Sequence, residues 1–182
     1  MGDFDCPIKA CGFIDEDVND AIASLDYRNL RLLNYLLDKA QHFIEAKGCD
    51  PTAITHYRLA PDMLPFIRQI LIACDAAKNG VARISGVEAP KYPDDEQTIA
   101  ELKARIAKTL DYLHSVPASA LDGTEDKDIT FPVGRDSTRT MKAEAYLKLW
   151  VLPNLFFHIT TAYNILRHNG IEIGKADYLG EP

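Results

Sequence analysis

The sequence predicts an all-α protein, an antiparallel four-helix bundle with a short β-hairpin before its last helix. Apolar residues recur at spacings of three and four in four long segments, which is the period of an amphipathic helix. The connections between these segments are short, which favours antiparallel neighbours. The chain of 182 residues is long enough to bury one hydrophobic core.

The first two helices are predicted over about residues 22–47 and 61–85. Pro61 suits a first helical turn, where its missing N–H costs nothing, and Asp62 is a candidate cap. The middle of the second helix, "FIRQILIACDAA", is apolar almost all round, so this helix should be central. The preceding segment, "CDPTAITHYRLAPD", is predicted to be a polar connection, with His56 a solvated loop residue.

The third helix is predicted over about residues 96–114 and the fourth over about 142–169. Between them, two β-prone runs at 129–133 and 137–140 flank "GRD", which indicates a hairpin with a glycine-containing turn. The final segment, "IEIGKADYLGEP", is apolar enough to dock on the helices.

One proline interrupts the last helix. Pro153 removes a backbone hydrogen bond and clashes with the preceding turn, which costs about 3 kcal/mol in a regular helix interior. The segment from Trp150 to Asn154 is therefore predicted to be bent or broken, as happens where a kink serves packing or a pocket.

Composition excludes several classes of protein. The net charge of -7 argues against a nucleic-acid partner, because phosphate binding needs clustered Lys and Arg. No run of about 18 apolar residues is present, so no membrane association is expected. The N-terminus lacks the pattern of a secretory signal, which predicts a cytoplasmic protein. The four cysteines, Cys6, Cys11, Cys49 and Cys74, are predicted to be free thiols.

His158 lies on the apolar side of the last helix and is the first candidate site residue. Asn154, His158 and Thr161 share one helix face at steps of four and three. His158 is either a core histidine whose ring nitrogens are satisfied by Asn154 and Thr161, or a functional group. No paired-histidine motif, nucleophile elbow or phosphate loop occurs, so no metal site and no cofactor is predicted.

Three long segments resemble a known family. They are "RLAPDMLPFIRQILIACDAAKNGVARISGVE", "TIAELKARIAKTLDYL" and "LPNLFFHITTAYNILRHNGIEIGKADYLG". Together they are similar to an uncharacterised domain-of-unknown-function family of the DinB/YfiT-like superfamily. The resemblance implies a four-helix bundle of DinB/YfiT-like type over residues 26–182, usually a homodimer, and leaves residues 1–25 as an extension outside the family pattern.

The resemblance also implies where a metal would lie. Better-studied relatives hold a divalent metal on three histidines, and several are thiol-dependent transferases or isomerases. The corresponding positions here are Ile72, Asn154 and His158, so two of the three ligands are absent. Such a set will not hold a first-row metal unless Asp75 or a distant residue substitutes.

The pocket can survive the loss of the metal ligands. Asp75 is a candidate catalytic partner of His158, orienting its ring for general acid–base chemistry. Asp75 can equally be a packing carboxylate paired with Lys78 or Arg68. The candidate substrate-binding residues are Asn154, Thr161, Cys74 and Trp150.

Three functions remain open. The first is a metal-free enzyme or binding protein for a small apolar molecule, with its pocket around His158. The second is a bundle that serves only association, as a homodimer or with another protein. The third is a metal- and thiol-dependent transferase with an unconventional ligand set. The first is excluded if Phe156, Phe157 and Trp150 fill the centre of the bundle.

Overall fold

The computed structural model describes residues 25–180. The predicted N-terminal extension, residues 1–25, lies outside this range except for its last residue. Cys6 and Cys11 also lie outside it. Cys49 and Cys74 are free thiols.

The protein is mostly helical, with one small antiparallel sheet. The helices are α1 (Arg31–Lys47), α2 (Pro51–His56), α3 (Phe66–Ser85), α4 (Ile99–Ser115), α5 (Ala143–Tyr146), α6 (Leu152–His168) and α7 (Lys175–Leu179). Two π-helical turns, Leu25–Leu30 and Leu147–Val151, precede α1 and α6, and a 3₁₀ turn spans Ala118–Ala120. The strands are β1 (Asp128–Val133) and β2 (Ser137–Lys142). None of the described helices combines the length and hydrophobicity needed to cross a bilayer.

Helix α3 is the centre of the fold. It packs most extensively against α6 and next against α4, while α1 packs on α4 and α6. Arg83 near the end of α3 contacts Tyr146, and Gln69 near its start contacts His158, so α3 and α6 run antiparallel. The prediction that the second helix is central is therefore confirmed. Its side chains are buried on several faces, as its nearly continuous apolar sequence requires.

The start of α3 differs from the prediction. The helix begins at Phe66, with Pro65 in extended conformation as its N-cap residue, so Pro61 is not in its first turn and Asp62 does not cap it. A proline disfavours helical conformation in the residue before it, which prevents the helix from extending back through Pro65.

The connection before α3 contains a short helix that was not predicted. Asp50 caps α2, its side chain accepting from the Thr52 amide at 2.9 Å, and Pro51 occupies the first turn. His56 ends α2 and is therefore helical, although it is exposed as expected.

The remaining predicted elements are present with small changes in their ends. Thr98 and Glu101 form a capping box that starts α4. The hairpin is confirmed, with Val133 paired to Ser137 at the turn, and Gly134 there adopts a φ of 71°, which glycine tolerates best.

The irregularity predicted around Pro153 is a π-helical turn directly before α6. Pro153 lies in the first turn of α6, where a proline is tolerated. The turn lies against α3 at Gly80, where a Cβ atom would stand 2.7 Å from Cγ1 of Val151. The absence of a side chain at Gly80 therefore lets the two helices approach closely.

The C-terminal segment docks on the helices, as predicted. Ile171 and Ile173 are buried. In α7, the Asp177 carboxylate accepts from the Tyr35 hydroxyl at 2.5 Å, and the hydroxyls of Tyr178 and Thr160 lie 2.9 Å apart. The segment therefore ties α1 to α6.

Candidate functional site

A cleft of about 180 Å³ lies between α3 and the helix formed by α5, the π-helical turn and α6. We call it the α3–α6 cleft. It is lined by Ile72, Asp75, Ala76, Asn79, Arg83, Tyr146, Trp150, Val151 and Asn154.

The α3 wall carries a row of polar side chains. Asp75, Asn79 and Arg83 follow one another at steps of four, so they lie on one face of the helix. The first and last are two turns apart, about 12 Å along the helix axis. This wall therefore has a carboxylate near one end, an amide in the middle and a guanidinium at the other end.

The opposite wall carries a matching row, also spaced by four. Tyr146, Trp150 and Asn154 face the cleft in antiparallel order to the α3 row. The amide nitrogen of Asn154 donates to the Trp150 carbonyl at 2.7 Å, which leaves the Asn154 side-chain oxygen as the free acceptor.

The guanidinium end of the cleft is built by Arg83 and Tyr146. The Arg83 Nη1 atom donates to the Tyr146 hydroxyl at 2.7 Å. Burial raises the pKa of the Tyr146 phenol, an effect that the Arg83 charge opposes, so the hydroxyl keeps its proton at neutral pH. Phe131 of β1 packs on both aromatic rings of this wall, with centroids 4.6 Å from Tyr146 and 5.0 Å from Trp150. The hairpin therefore supports the cleft.

The carboxylate end joins a second feature, a buried ionic cluster between α3, α4 and the loop before α4. Asp75 accepts from Lys78 at 2.8 Å and from Arg105 at 2.9 Å. Arg105 is almost fully buried and also pairs with Asp94 at 2.9 Å and Glu96 at 3.1 Å. We call these five residues the ionic cluster.

An aromatic ring closes the ionic cluster. The Lys78 ammonium lies 4.3 Å from the centre of the Tyr92 ring and the Arg105 guanidinium 4.0 Å from it, which are favourable cation–π distances. Asp75 is thus paired with Lys78, one of the two partners that the packing alternative named, and with Arg105, which it did not name, while Arg68 lies near Asp94.

His158 has a different partner from those predicted. Its Nδ1 atom lies 2.7 Å from the side-chain oxygen of Gln69, whose nitrogen donates to the Leu64 carbonyl at 2.9 Å. The predicted intrahelical partners are engaged elsewhere: Asn154 donates to Trp150, and Thr161 donates to the Phe157 carbonyl at 2.7 Å. The pairing of Asp75 with His158 is likewise not observed.

His158 is half-buried, one turn along α6 from Asn154, and it is not part of the cleft lining. Burial lowers the pKa of the imidazole below its ordinary value, so the ring is mainly neutral at pH 7. The His158–Gln69 contact therefore joins α6 to α3 one helical turn beyond Asn154.

Two predicted substrate-binding residues lie outside the cleft. Thr161 is buried and does not line it. Cys74 is fully buried on the α4 side of α3, close to Thr109, and burial raises the pKa of its thiol to about 12. Cys74 is therefore a packing residue. Asp75, Trp150 and Asn154 do line the cleft.

The residues at the metal position that the resemblance implies do not fit a metal. Ile72 carries no ligand atom and the Asn154 amide is bonded to the Trp150 carbonyl, so His158, through its Nε2 atom, is the one imidazole ligand left at these three positions. Across residues 25–180, no group of three or more His, Cys, Asp or Glu side chains could hold a metal ion.

Phe156, Phe157 and Trp150 do not fill the centre of the fold, since Trp150 is only partly buried and lines the cleft. Phe156 is 38% exposed and Phe157 is 57% exposed, so both point outward. Sequence reasoning missed Asn79, Arg83 and Tyr146. The signal that could have found them is the spacing of four between polar positions on helices that are otherwise apolar.

The fold and this site define a class: a mostly helical, DinB-like protein with a polar-lined cleft between two of its helices. A crystal structure described as a DinB family member from Shewanella denitrificans is similar to this chain, with a TM-score of 0.81 and 41% sequence identity. The match covers 90% of this chain and 92% of the other.

The family is shown directly by a second comparison. The model of DUF1993, a domain of unknown function, matches residues 20–179. The chain therefore belongs to the DUF1993 family. No curated protein matches it.

Proposed function

We propose that this protein binds a small molecule in the α3–α6 cleft without a metal. One observation carries the proposal: the polar row on α3 and the row on the opposite helix face each other across a helix interface that is otherwise apolar. Placing polar groups between packed helices costs free energy unless they are paired, and such sites are typical of ligand pockets within helical bundles. We infer as part of this proposal that the four long helices form a DinB/YfiT-type antiparallel bundle in a cytoplasmic protein.

The cleft favours a ligand that is small and not purely apolar. Its volume of about 180 Å³ is below the roughly 300–1,000 Å³ of pockets for drug-sized ligands. Asp75, Asn79, Arg83 and Asn154 contribute polar atoms to the lining, while Ile72 and Trp150 contribute apolar surface. This refines the expectation of a small apolar molecule: the ligand should carry at least one polar group.

The test is a fragment screen against the wild type and a variant whose cleft is filled. Ala76→Leu adds three carbon atoms to the cleft wall, whereas the matched control Ala107→Leu adds them to the exposed face of α4. Fragments that shift the indole N–H resonance of Trp150, the only tryptophan, should lose binding in Ala76→Leu and keep it in Ala107→Leu. Fragments that bind equally to all three proteins would refute the cleft as the site.

Conversion of the ligand by His158 is the enzymatic form of the same proposal. The neutral ring beside the cleft is in the protonation state that a general base needs. A variant His158→Gln that binds the ligand but leaves it unchanged, while wild type converts it, would support this form. Equal turnover by both proteins would exclude it.

Association as a homodimer is supported by a separate observation. Leu149, Phe156 and Phe157 are exposed on the last helix, at 68%, 38% and 57%, and Tyr35 is 39% exposed on α1. Exposed apolar side chains grouped in this way are typical of interfaces. We propose that a second copy covers them, so light scattering at micromolar concentration should give twice the chain mass, and Leu149→Glu should give a monomer. A monomeric wild type would refute this.

The metal-dependent alternative is tested by elemental mass spectrometry of the tag-free protein and of His158→Ala. We expect no stoichiometric metal in either. Metal that is present in the wild type and lost in the variant would overturn the metal-free proposal.

A further inference from the structure

The end of the α3–α6 cleft formed by Arg83 and Tyr146 has hydrogen-bond donors without protein acceptors. Arg83 donates to the Tyr146 hydroxyl, and within residues 25–180 no carboxylate pairs with it. Tyr146 accepts that bond and keeps its own O–H proton, for which no acceptor is found among the described residues. Both side chains line the cleft.

The contrast with the buried cations of the ionic cluster shows why this matters. Arg105 is surrounded by three carboxylates within 3.1 Å, and Lys78 shares one of them. Arg83, in contrast, is half-buried and directed to a neutral phenol. A guanidinium beside low-dielectric walls attracts an anion more strongly than an exposed one does.

We propose that the cleft takes a small aromatic monocarboxylate whose carboxylate accepts hydrogen bonds from Arg83 and Tyr146. This rests on the proposed function, since it names the chemical class of the ligand for the same cleft. A planar carboxylate matches the fork of one guanidinium, and the tyrosine proton supplies a further donor.

The rest of the lining supports this choice of class. A phosphate dianion would bring a second charge that no other cation of the lining neutralises, because the remaining ionic group there is the carboxylate of Asp75. The indole of Trp150 stands one turn from Tyr146 on the same wall, where the flat body of an aromatic acid would lie. Asn79 and Asn154 border the middle and far parts of the cleft and accommodate a polar substituent.

The test compares three probes: benzoate, its neutral isostere benzamide, and inorganic phosphate. Binding is measured from the indole N–H resonance of Trp150 in nitrogen-edited spectra, because this residue lines the cleft and is the only tryptophan. We expect a saturable shift with benzoate and at least tenfold weaker binding of benzamide and of phosphate.

The variants test whether binding depends on the charge of the ligand carboxylate or only on the shape of the ligand. Arg83→Gln should weaken benzoate binding at least tenfold and should weaken the binding of uncharged benzamide much less. Tyr146→Phe should weaken benzoate severalfold. The control Arg167→Gln, at an exposed position of α6 away from the cleft, should bind benzoate as the wild type does. If Arg83→Gln keeps the wild-type unfolding transition, its loss of benzoate binding is not caused by unfolding. The comparison of the three probes on the wild type does not depend on any variant.

The outcomes distinguish this inference from the proposed function. Equal binding of benzoate and benzamide, unaffected by Arg83→Gln, would overturn carboxylate recognition while leaving the cleft as a binding site. Equal binding of benzoate and phosphate would show a general anion site and also overturn the inference. No binding of any probe, with fragments from the broader screen bound in the cleft, would overturn the class alone. A screen in which nothing binds there would overturn both.

Discussion

Replacement of Arg105 by methionine tests how much the ionic cluster contributes to stability. In the wild type, the buried guanidinium pairs with Asp75, Asp94 and Glu96 at 2.9, 2.9 and 3.1 Å. Methionine keeps most of the aliphatic stem, so packing changes little. The substitution leaves the three carboxylates with Lys78, which pairs with Asp75, and the more exposed Arg68, 3.6 Å from Asp94, as the remaining cations.

The expected loss of stability follows from the burial of the partners. Removing one member of a buried ion pair typically costs about 3–5 kcal/mol, because the other member is left uncompensated. The side chains of Asp75 and Asp94 are each 32% exposed, so water offsets part of the penalty. We therefore expect Arg105→Met to lower the free energy of unfolding at pH 7 by about 3 kcal/mol, the low end of that range.

Urea denaturation provides the measurement, and Arg68→Met provides the matched control. Arg68 is 40% exposed and lies 3.6 Å from Asp94, one of the carboxylates that Arg105 contacts. An exposed pair of this kind contributes at most about 1 kcal/mol. Substitution of arginine by methionine is therefore expected to cost severalfold more stability at position 105 than at position 68.

The comparison of the two variants supplies the refutation. A loss of stability in Arg105→Met no larger than that in Arg68→Met would refute the reasoning.

Three further predictions concern single residues. Gly80→Ala should destabilise the protein by about 1–3 kcal/mol in urea, because its Cβ would overlap Val151, and Val151→Ala in the same chain should restore part of the loss. The ring pKa of His158, measured by NMR, should lie below about 6.5. As pH decreases through about 6.5, the unfolded chain takes up a proton at this ring before the folded protein does, so the free energy of unfolding should fall relative to His158→Gln. In native protein at pH 8, iodoacetamide should modify Cys49 and spare Cys74, as read by peptide mass mapping.

Each of these has a clear contrary result. A Gly80→Ala protein as stable as wild type would mean that the two helices separate without cost. A ring pKa at or above the ordinary histidine value would mean that His158 is more hydrated than its burial indicates. Alkylation of Cys74 at the rate of Cys49 would mean that α3 and α4 open readily.

The fold was predictable from the sequence where apolar spacing and local turn chemistry act together. The periodic stripe of α4 and the glycine turn of the hairpin both correspond to observed elements. The start of α3 was not predicted correctly because Pro61 suits a first turn, whereas the prediction did not use Pro65, which disfavours helical conformation in the residue before it. The Phe66 amide donates to the Tyr57 carbonyl and holds the connection at this point.

The candidate site was only partly predictable, because its contacts join residues far apart in the chain. Trp150, Asn154 and Asp75 were identified from the residue spacing within their own helices. The bond between His158 and Gln69 spans 89 positions, and that between Arg83 and Tyr146 spans 63. Spacing within a helix cannot show which side chain of another helix lies opposite, so the predicted partners of His158 were the local ones.

The π-helical turn Leu147–Val151 has a consequence for insertions and deletions. Each residue of a regular helix turns the chain by about 100°, so removing one residue from this turn would rotate α5 and the hairpin by that angle relative to α6. Tyr146 would then leave Arg83, and Phe131 would leave Trp150. Family members should therefore vary in length at the surface loops while keeping the count of residues between Tyr146 and Pro153, whatever side chains fill the turn.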